Sequence, residues 1–198
     1  MAKVSELKKR LHSGRVYRRA DLARWSKSVD RHLQELVKTG EVKKLSGGLY
    51  YCPEKSSFGD LPPHDAELVR AFLKDDHFYM ASLNAYNSLG VGTTQLYNET
   101  LVYNYKRDGH MVLNGRHFYF VKRPRFPKKS SKEFLMVDLV NNLHLLAEDT
   151  EDVLKRLARN VLGMNKASLM KAVHAYGGAR AKKFFDSVFR NAEAHHAA

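Results

Sequence analysis

The sequence predicts an α+β fold: an N-terminal winged helix-turn-helix followed by a larger α+β domain with a helical C-terminal part. Three observations carry that expectation. Residues 16–53 run as a short helix, a tight turn, an amphipathic helix and a basic hairpin with a Gly-Gly tip, the element order of a winged helix. Farther on, Asn114-Gly115 separates two strand-like runs, a strong two-residue hairpin signal. From Ser130 onward, helical periodicity returns between residues suited to capping.

Each element has a local reason. Val4, Leu7 and Leu11 recur at helical spacing, so a first helix is expected over residues 3–12, ended by Ser13-Gly14. Val16-Tyr17 fits a short extended segment. A second helix is expected over Arg19–Trp25, with Ala20, Leu22 and Ala23 facing inward and Trp25 in the core. Ser26 or Ser28 offers an N-cap for a third helix reaching Lys38 and stopped by Gly40. At about 100° per residue, Val29, Leu33, Leu36 and Val37 form one stripe of that helix and Lys27, Arg31, Gln34 and Lys38 lie opposite. Glu41–Leu45 and Leu49–Cys52 pair across Ser46-Gly47-Gly48, where the glycines supply positive φ.

The boundaries follow composition. Residues 1–53 form the small domain, 54–62 (EKSSFGDLP) a polar linker, 63–190 the larger domain and 191–198 a disordered tail. In the larger domain, Pro63–Leu73 is expected to be helical, with Asp65 and Glu67 complementing the helix dipole. Phe78–Met80 reads as extended and Ser82–Leu89 as helical. Strands follow at Thr100–Tyr105, Gly109–Leu113 and His117–Lys122. Ser130 with Glu133 forms a capping-box pattern for a helix to about Leu146. Helices over Glu151–Leu162, Lys166–Tyr176 and Ala179–Phe189 are divided by Gly163 and Gly177-Gly178.

Charge sets the expected partner. The 198 residues carry 34 Lys and Arg against 21 Asp and Glu, a net charge of +13. Residues 1–53 hold 13 of the bases and only five of the acids, a surplus of eight, and the remaining 145 residues hold the other five. A chain this basic points to a polyanion, double-stranded DNA first. Lys27, Ser28, Arg31, Gln34 and Lys38 on the third helix are the candidates for base edges, since Arg bridges guanine N7 and O6 and Gln pairs with adenine. Arg18, Arg19, Lys43 and Lys44 suit phosphate oxygens, contacts that position a protein without reading sequence. A second basic patch, Lys122, Arg123, Arg125, Lys128, Lys129 and Lys132, follows a strand.

Other classes find little support. The lone Cys52 permits no intrachain disulfide or Cys-pair zinc site and is expected to pack behind the hairpin. No apolar run approaches the roughly 18 residues of a membrane span, and residues 1–13 lack a signal-peptide core, so a cytoplasmic protein is expected. His64, His77, His110, His117, His144 and His174 follow no metal-ligand spacing, and Asp75-Asp76-His77 reads as a charged helix end. G-x-S-x-G, Walker A and G-x-G-x-x-G are missing. No catalytic residue, metal or cofactor is therefore expected.

The segments VYRRADL, SKSVDRHLQELVKTGEVKKLSGGLYYCP and ASLNAYNSLGVGTTQLYNETLVYN resemble the AbiEi-type antitoxins of type IV toxin–antitoxin systems and related winged-helix regulators. Gly48-Leu49-Tyr50 matches that family's wing strand. Leu83-Asn84-Ala85, Leu89-Gly90 and Thr94-Gln95 match its second-domain pattern. The similarity covers roughly residues 4–125; the helices after Phe134 do not align. It implies a repressor that binds inverted repeats in its own promoter and counters a nucleotidyltransferase-like toxin without a stable complex. Useful specificity from so small a module calls for two copies, as a homodimer or by cooperative binding. Two alternatives are a non-catalytic interaction module whose basic surface meets an acidic partner, and a nuclease built on the C-terminal domain.

Overall fold

A computed structural model describes residues 2–196, and the fold is α+β. The chain divides into two compact units, Met1–His77 with Met111–His117, and Phe78–His110 with Phe118–Ala198.

In the first unit, α1 (Ala2–Lys8) precedes β1 (Val16–Arg18), α2 (Arg19–Leu22), α3 (Val29–Lys38), β2 (Lys43–Lys44) and β3 (Leu49–Tyr51). The three strands form an antiparallel sheet in the order β1-β3-β2, pairing Val16 and Lys43 with Tyr51 and Lys44 with Tyr50. Gly47 and Gly48 turn the β2–β3 hairpin at φ +64° and +75°, a region open to glycine at little cost. Leu7, Leu22, Val29, Leu33, Leu36, Val42 and Tyr50 form the core.

Several expectations change here. Helix α1 ends at Lys8 and α2 is a single turn, with Leu22 buried but Ala20 and Ala23 exposed. Trp25 is not a core residue: it is 40% exposed and meets Tyr17 edge-on. On α3, Val37 is 37% exposed, and His32 takes the inward position, its Nδ1 hydrogen-bonded to Ser26 Oγ at 2.7 Å. That bond satisfies both buried polar groups. Ser28 precedes α3 without a side-chain cap.

The expected linker is itself structured. Strands β4 (Glu54–Ser56) and β5 (Gly59–Leu61) form a second hairpin, which Tyr51 fastens by donating its hydroxyl to the Leu61 carbonyl at 2.9 Å. Helix α4 (Asp65–Leu73) belongs to the first unit, not the second domain where its sequence position puts it. Arg15 donates to Glu67 at 3.1 Å and Arg116 pairs with Asp65, both within that unit.

The second unit carries most of a four-stranded sheet in the order β6-β7-β9-β8, from β6 (Phe78–Ser82), β7 (Thr100–Asn104), β8 (Gly109–Leu113) and β9 (Arg116–Lys122). β6 runs antiparallel to β7, and β7 parallel to β9. Asn114 and Gly115 both take positive φ, as a two-residue hairpin loop requires. A 3₁₀ segment, Leu83–Leu89, follows β6 and stops at Gly90 in the left-handed region.

Helix α5 (Lys132–Asn141) is buried nearly all round, so it is the central element of this unit. Its cap is Ser131, whose Oγ accepts the Phe134 amide, and not Ser130. It ends at Asn141, short of Leu146, and a 3₁₀ turn over Leu143–Leu145 follows. Helices α6 (Thr150–Leu162) and α7 (Lys166–Tyr176) start at Asp149 and Asn165, each accepting backbone amides. Helix α8 (Ala179–His196) continues through residues 191–196, where a disordered tail is expected; residues 197 and 198 lie outside the described residues.

Candidate nucleic-acid interface

Burial of Val29, His32, Leu33 and Leu36 fixes the rotation of α3 and leaves Arg31, Gln34, Glu35 and Lys38 in solvent. Between α3 and the β2–β3 hairpin lies a groove of about 400 Å3, lined by Asp30, Leu33, Gln34, Val37, Lys38, Lys44 and Tyr50. Three of the sequence-predicted residues, Gln34, Lys38 and Lys44, therefore meet in one place. Lys27 and Ser28 line a second hollow of about 410 Å3 beyond the start of α3, with Arg24, Trp25 and His32. Arg31 is exposed and lines neither.

Three predicted phosphate ligands already have carboxylate partners. Arg18 makes a two-pronged contact to Asp21, both bonds 2.7 Å. Arg19 does the same to Asp30, at 2.7 and 2.5 Å, and the hydrogen bond to Arg19 holds the Asp30 carboxyl below its ordinary value. Lys43 reaches Asp60 of β5 at 3.0 Å. The side chains of Lys27, Arg31, Lys38 and Lys44 make no ion pair among the described residues, so the available positive charge is narrower than composition suggests.

Sequence reasoning passes over Glu35 and Arg24, and places Trp25 in the core. Glu35 shares the exposed face with Arg31 and Lys38, where its carboxylate can accept a cytosine amino group. Trp25 is 40% exposed while Leu22, one turn earlier, is fully buried.

In the second unit, the basic patch separates into a fixed residue and freer ones. Arg123 lies over the Tyr103 ring, 4.3 Å from its centroid, and donates to Asn142 Oδ1 at 2.9 Å. Its guanidinium stands 3.8 Å from Asp138, a fully buried carboxylate. Asp138 accepts the hydroxyls of Tyr86 at 2.8 Å and Tyr103 at 2.7 Å, and Asn142 Nδ2 donates to both of those oxygens. Burial pushes the Asp138 carboxyl above its usual range, against the pull of Tyr103 and Arg123. Lys122, Arg125, Lys128, Lys129 and Lys132 are exposed.

The segment after Gly90 is tied down by Glu148, which accepts the amides of Thr94 (3.0 Å) and Gln95 (3.1 Å) and the Tyr97 hydroxyl (2.9 Å). Asn84 completes the clasp, exchanging hydrogen bonds with the Tyr97 backbone at 2.7 and 3.0 Å. Among the described residues, no group of three or more His, Cys, Asp and Glu gathers in metal-binding fashion, and no helix is long and apolar enough to cross a membrane.

Fold and site together define a two-unit α+β protein in which an exposed helix face bearing Arg31, Gln34 and Lys38 lies beside a β-hairpin. The chain is similar in fold to the crystal structure of RV2827C protein from Mycobacterium tuberculosis, with a TM-score of 0.51 and 16% identity, over 94% of this chain and 75% of that one. No family model and no curated protein matches the chain.

Proposed function

We propose that the first unit is a winged helix-turn-helix that binds double-stranded DNA, with α3 in the major groove and the β2–β3 hairpin as the wing against the phosphates. The observation that carries this reading is the convergence of Gln34, Lys38 and Lys44 on one groove, beside the exposed Arg31, over a helix whose opposite face is fully committed to the core. Arg31 and Gln34 have the donor geometry for purines, each good bidentate contact being worth about 1–3 kcal/mol of discrimination. Lys38 and Lys44 neutralise phosphates.

On this reading the chain is a transcriptional repressor acting in the cytoplasm without a cofactor. Two copies occupy an inverted repeat in its own promoter, each supplying one half-site. The similarity of residues 4–125 to AbiEi-type antitoxins extends the proposal to antitoxin activity against a nucleotidyltransferase-like toxin, exerted without a stable complex.

A mobility-shift titration on the duplex upstream of the gene tests the proposal. Arg31→Ala is expected to weaken cognate binding by about 1–3 kcal/mol and a scrambled duplex much less. Equal losses on both duplexes, or no shift at low salt, would overturn it.

A further inference from the structure

The second unit contains a cleft of about 490 Å3 at the turn between α7 and α8, within the size range of small-ligand sites. Arg123, Arg125 and Lys182 line it with the His174 imidazole, and no carboxylate lines it. Neither Arg125 nor Lys182 has an acidic partner among the described residues. Like charges gathered in a concave site raise the local concentration of anions.

The walls are pre-set. Arg123 is held by the Tyr103 ring, Asn142 and the buried Asp138, yet 20% of its side chain remains open. Asn141 fixes the opposite wall, donating to the Tyr176 carbonyl at 3.0 Å and accepting the Gly178 amide at 2.9 Å. A Cβ at Gly177 would stand 2.5 Å from the Val173 carbonyl oxygen, so the turn closes this tightly only with glycine. Anchors fixed before a ligand arrives lower the ordering cost of binding.

We propose that this cleft binds a phosphate group. Arg125 and Lys182 are unpaired among the described residues and Arg123 is balanced only by the buried Asp138 at 3.8 Å, and a phosphate dianion offers oxygens in several directions to two guanidiniums and an ammonium. The ligand is either a small phosphate ester or a phosphate of a nucleic-acid strand. The inference uses only the second unit and does not rest on DNA binding by the first.

Calorimetric titration of the full chain at constant ionic strength tests it, with inorganic phosphate, adenosine monophosphate, and a dinucleotide whose one phosphate is an internal diester. The wild-type protein is expected to saturate with at least one of the three. Arg125→Ala with Lys182→Ala removes two exposed cations and is expected to weaken that binding about tenfold or more. Lys155→Ala with Arg159→Ala removes the same charge from α6 and is expected to change it by less than about twofold. Tighter binding of inorganic phosphate and adenosine monophosphate than of the dinucleotide assigns a small ester, and equal or tighter binding of the diester assigns a strand. Absence of saturation by about 10 mM of every probe, or equal losses in both double variants, overturns the proposal.

Discussion

Replacing Asp138 with Ala tests the interior of the second unit most severely. The carboxylate is fully buried and is the acceptor for two hydroxyls, those of Tyr86 and Tyr103. Their oxygens are already occupied by Asn142 Nδ2, so the substitution leaves two buried O–H donors without an acceptor and Arg123 without its counter-charge. At about 1–3 kcal/mol for each orphaned donor, with a small cavity added, the loss is about 3–5 kcal/mol. For a chain of this size that is a fall in Tm of about 6–20 °C. Asp138→Asn preserves volume and one acceptor and is expected to cost about half as much. The pH dependence adds a signature. A carboxyl whose pKa is raised by folding gives stability that is full below its unfolded pKa and is lost as pH rises through the folded value. Urea melts of the wild type and both variants between about pH 4 and 8 should show that decline only in the wild type. A loss below about 1 kcal/mol in Asp138→Ala would refute the reasoning, since it would mean the two hydroxyls do not depend on this acceptor.

Asp30→Asn should release Arg19 and remove a carboxylate from the α3 groove, so non-specific duplex binding tightens and its salt dependence steepens by about 0.9 per copy; fluorescence anisotropy across a salt series reads it. Glu148 behaves oppositely to Asp138: burial raises its pKa, but the Gln95 amide, the Tyr97 hydroxyl and the Thr94 amide outweigh that and leave it lowered. Its stability contribution is present above the unfolded pKa and is lost as pH falls through the folded one, so Glu148→Gln should show a shallower acid-side decline in thermal melts.

Local signals in the sequence located most elements and missed what depends on distant partners. Helix α3 is legible because Val29, Leu33 and Leu36 repeat at helical spacing, and Gly47-Gly48 and Asn114-Gly115 mark their turns by backbone demand. Val37 misleads because the stripe counts apolar residues, whereas the inward place belongs to His32, made tolerable by Ser26. The β4–β5 hairpin reads as a linker because EKSSFGDLP is polar, and what orders it is the Tyr51 hydroxyl and the Lys43–Asp60 pair. Helix α4 joins the first unit through Arg15–Glu67, a contact 52 residues apart. The same limit applies to the sites. The exposed cations of α3 follow from its periodicity, but the pairing of Arg18, Arg19 and Lys43 with carboxylates does not. Nor does any spacing announce that Tyr86, Tyr103, Asp138 and Asn142 converge beneath Arg123.

The central claim is that the unpaired cations beside α3 grip a duplex, and the salt dependence of duplex affinity measures it most directly. With Lys27, Lys38 and Lys44 each neutralising one phosphate and Arg31 on a base edge, the slope of log K against log salt is expected to be about −2.7 per bound copy. Lys38→Ala with Lys44→Ala should bring it to about −0.9 on cognate and scrambled duplexes alike. A slope near zero in the wild-type protein, or one that the double variant leaves unchanged, would contradict the account.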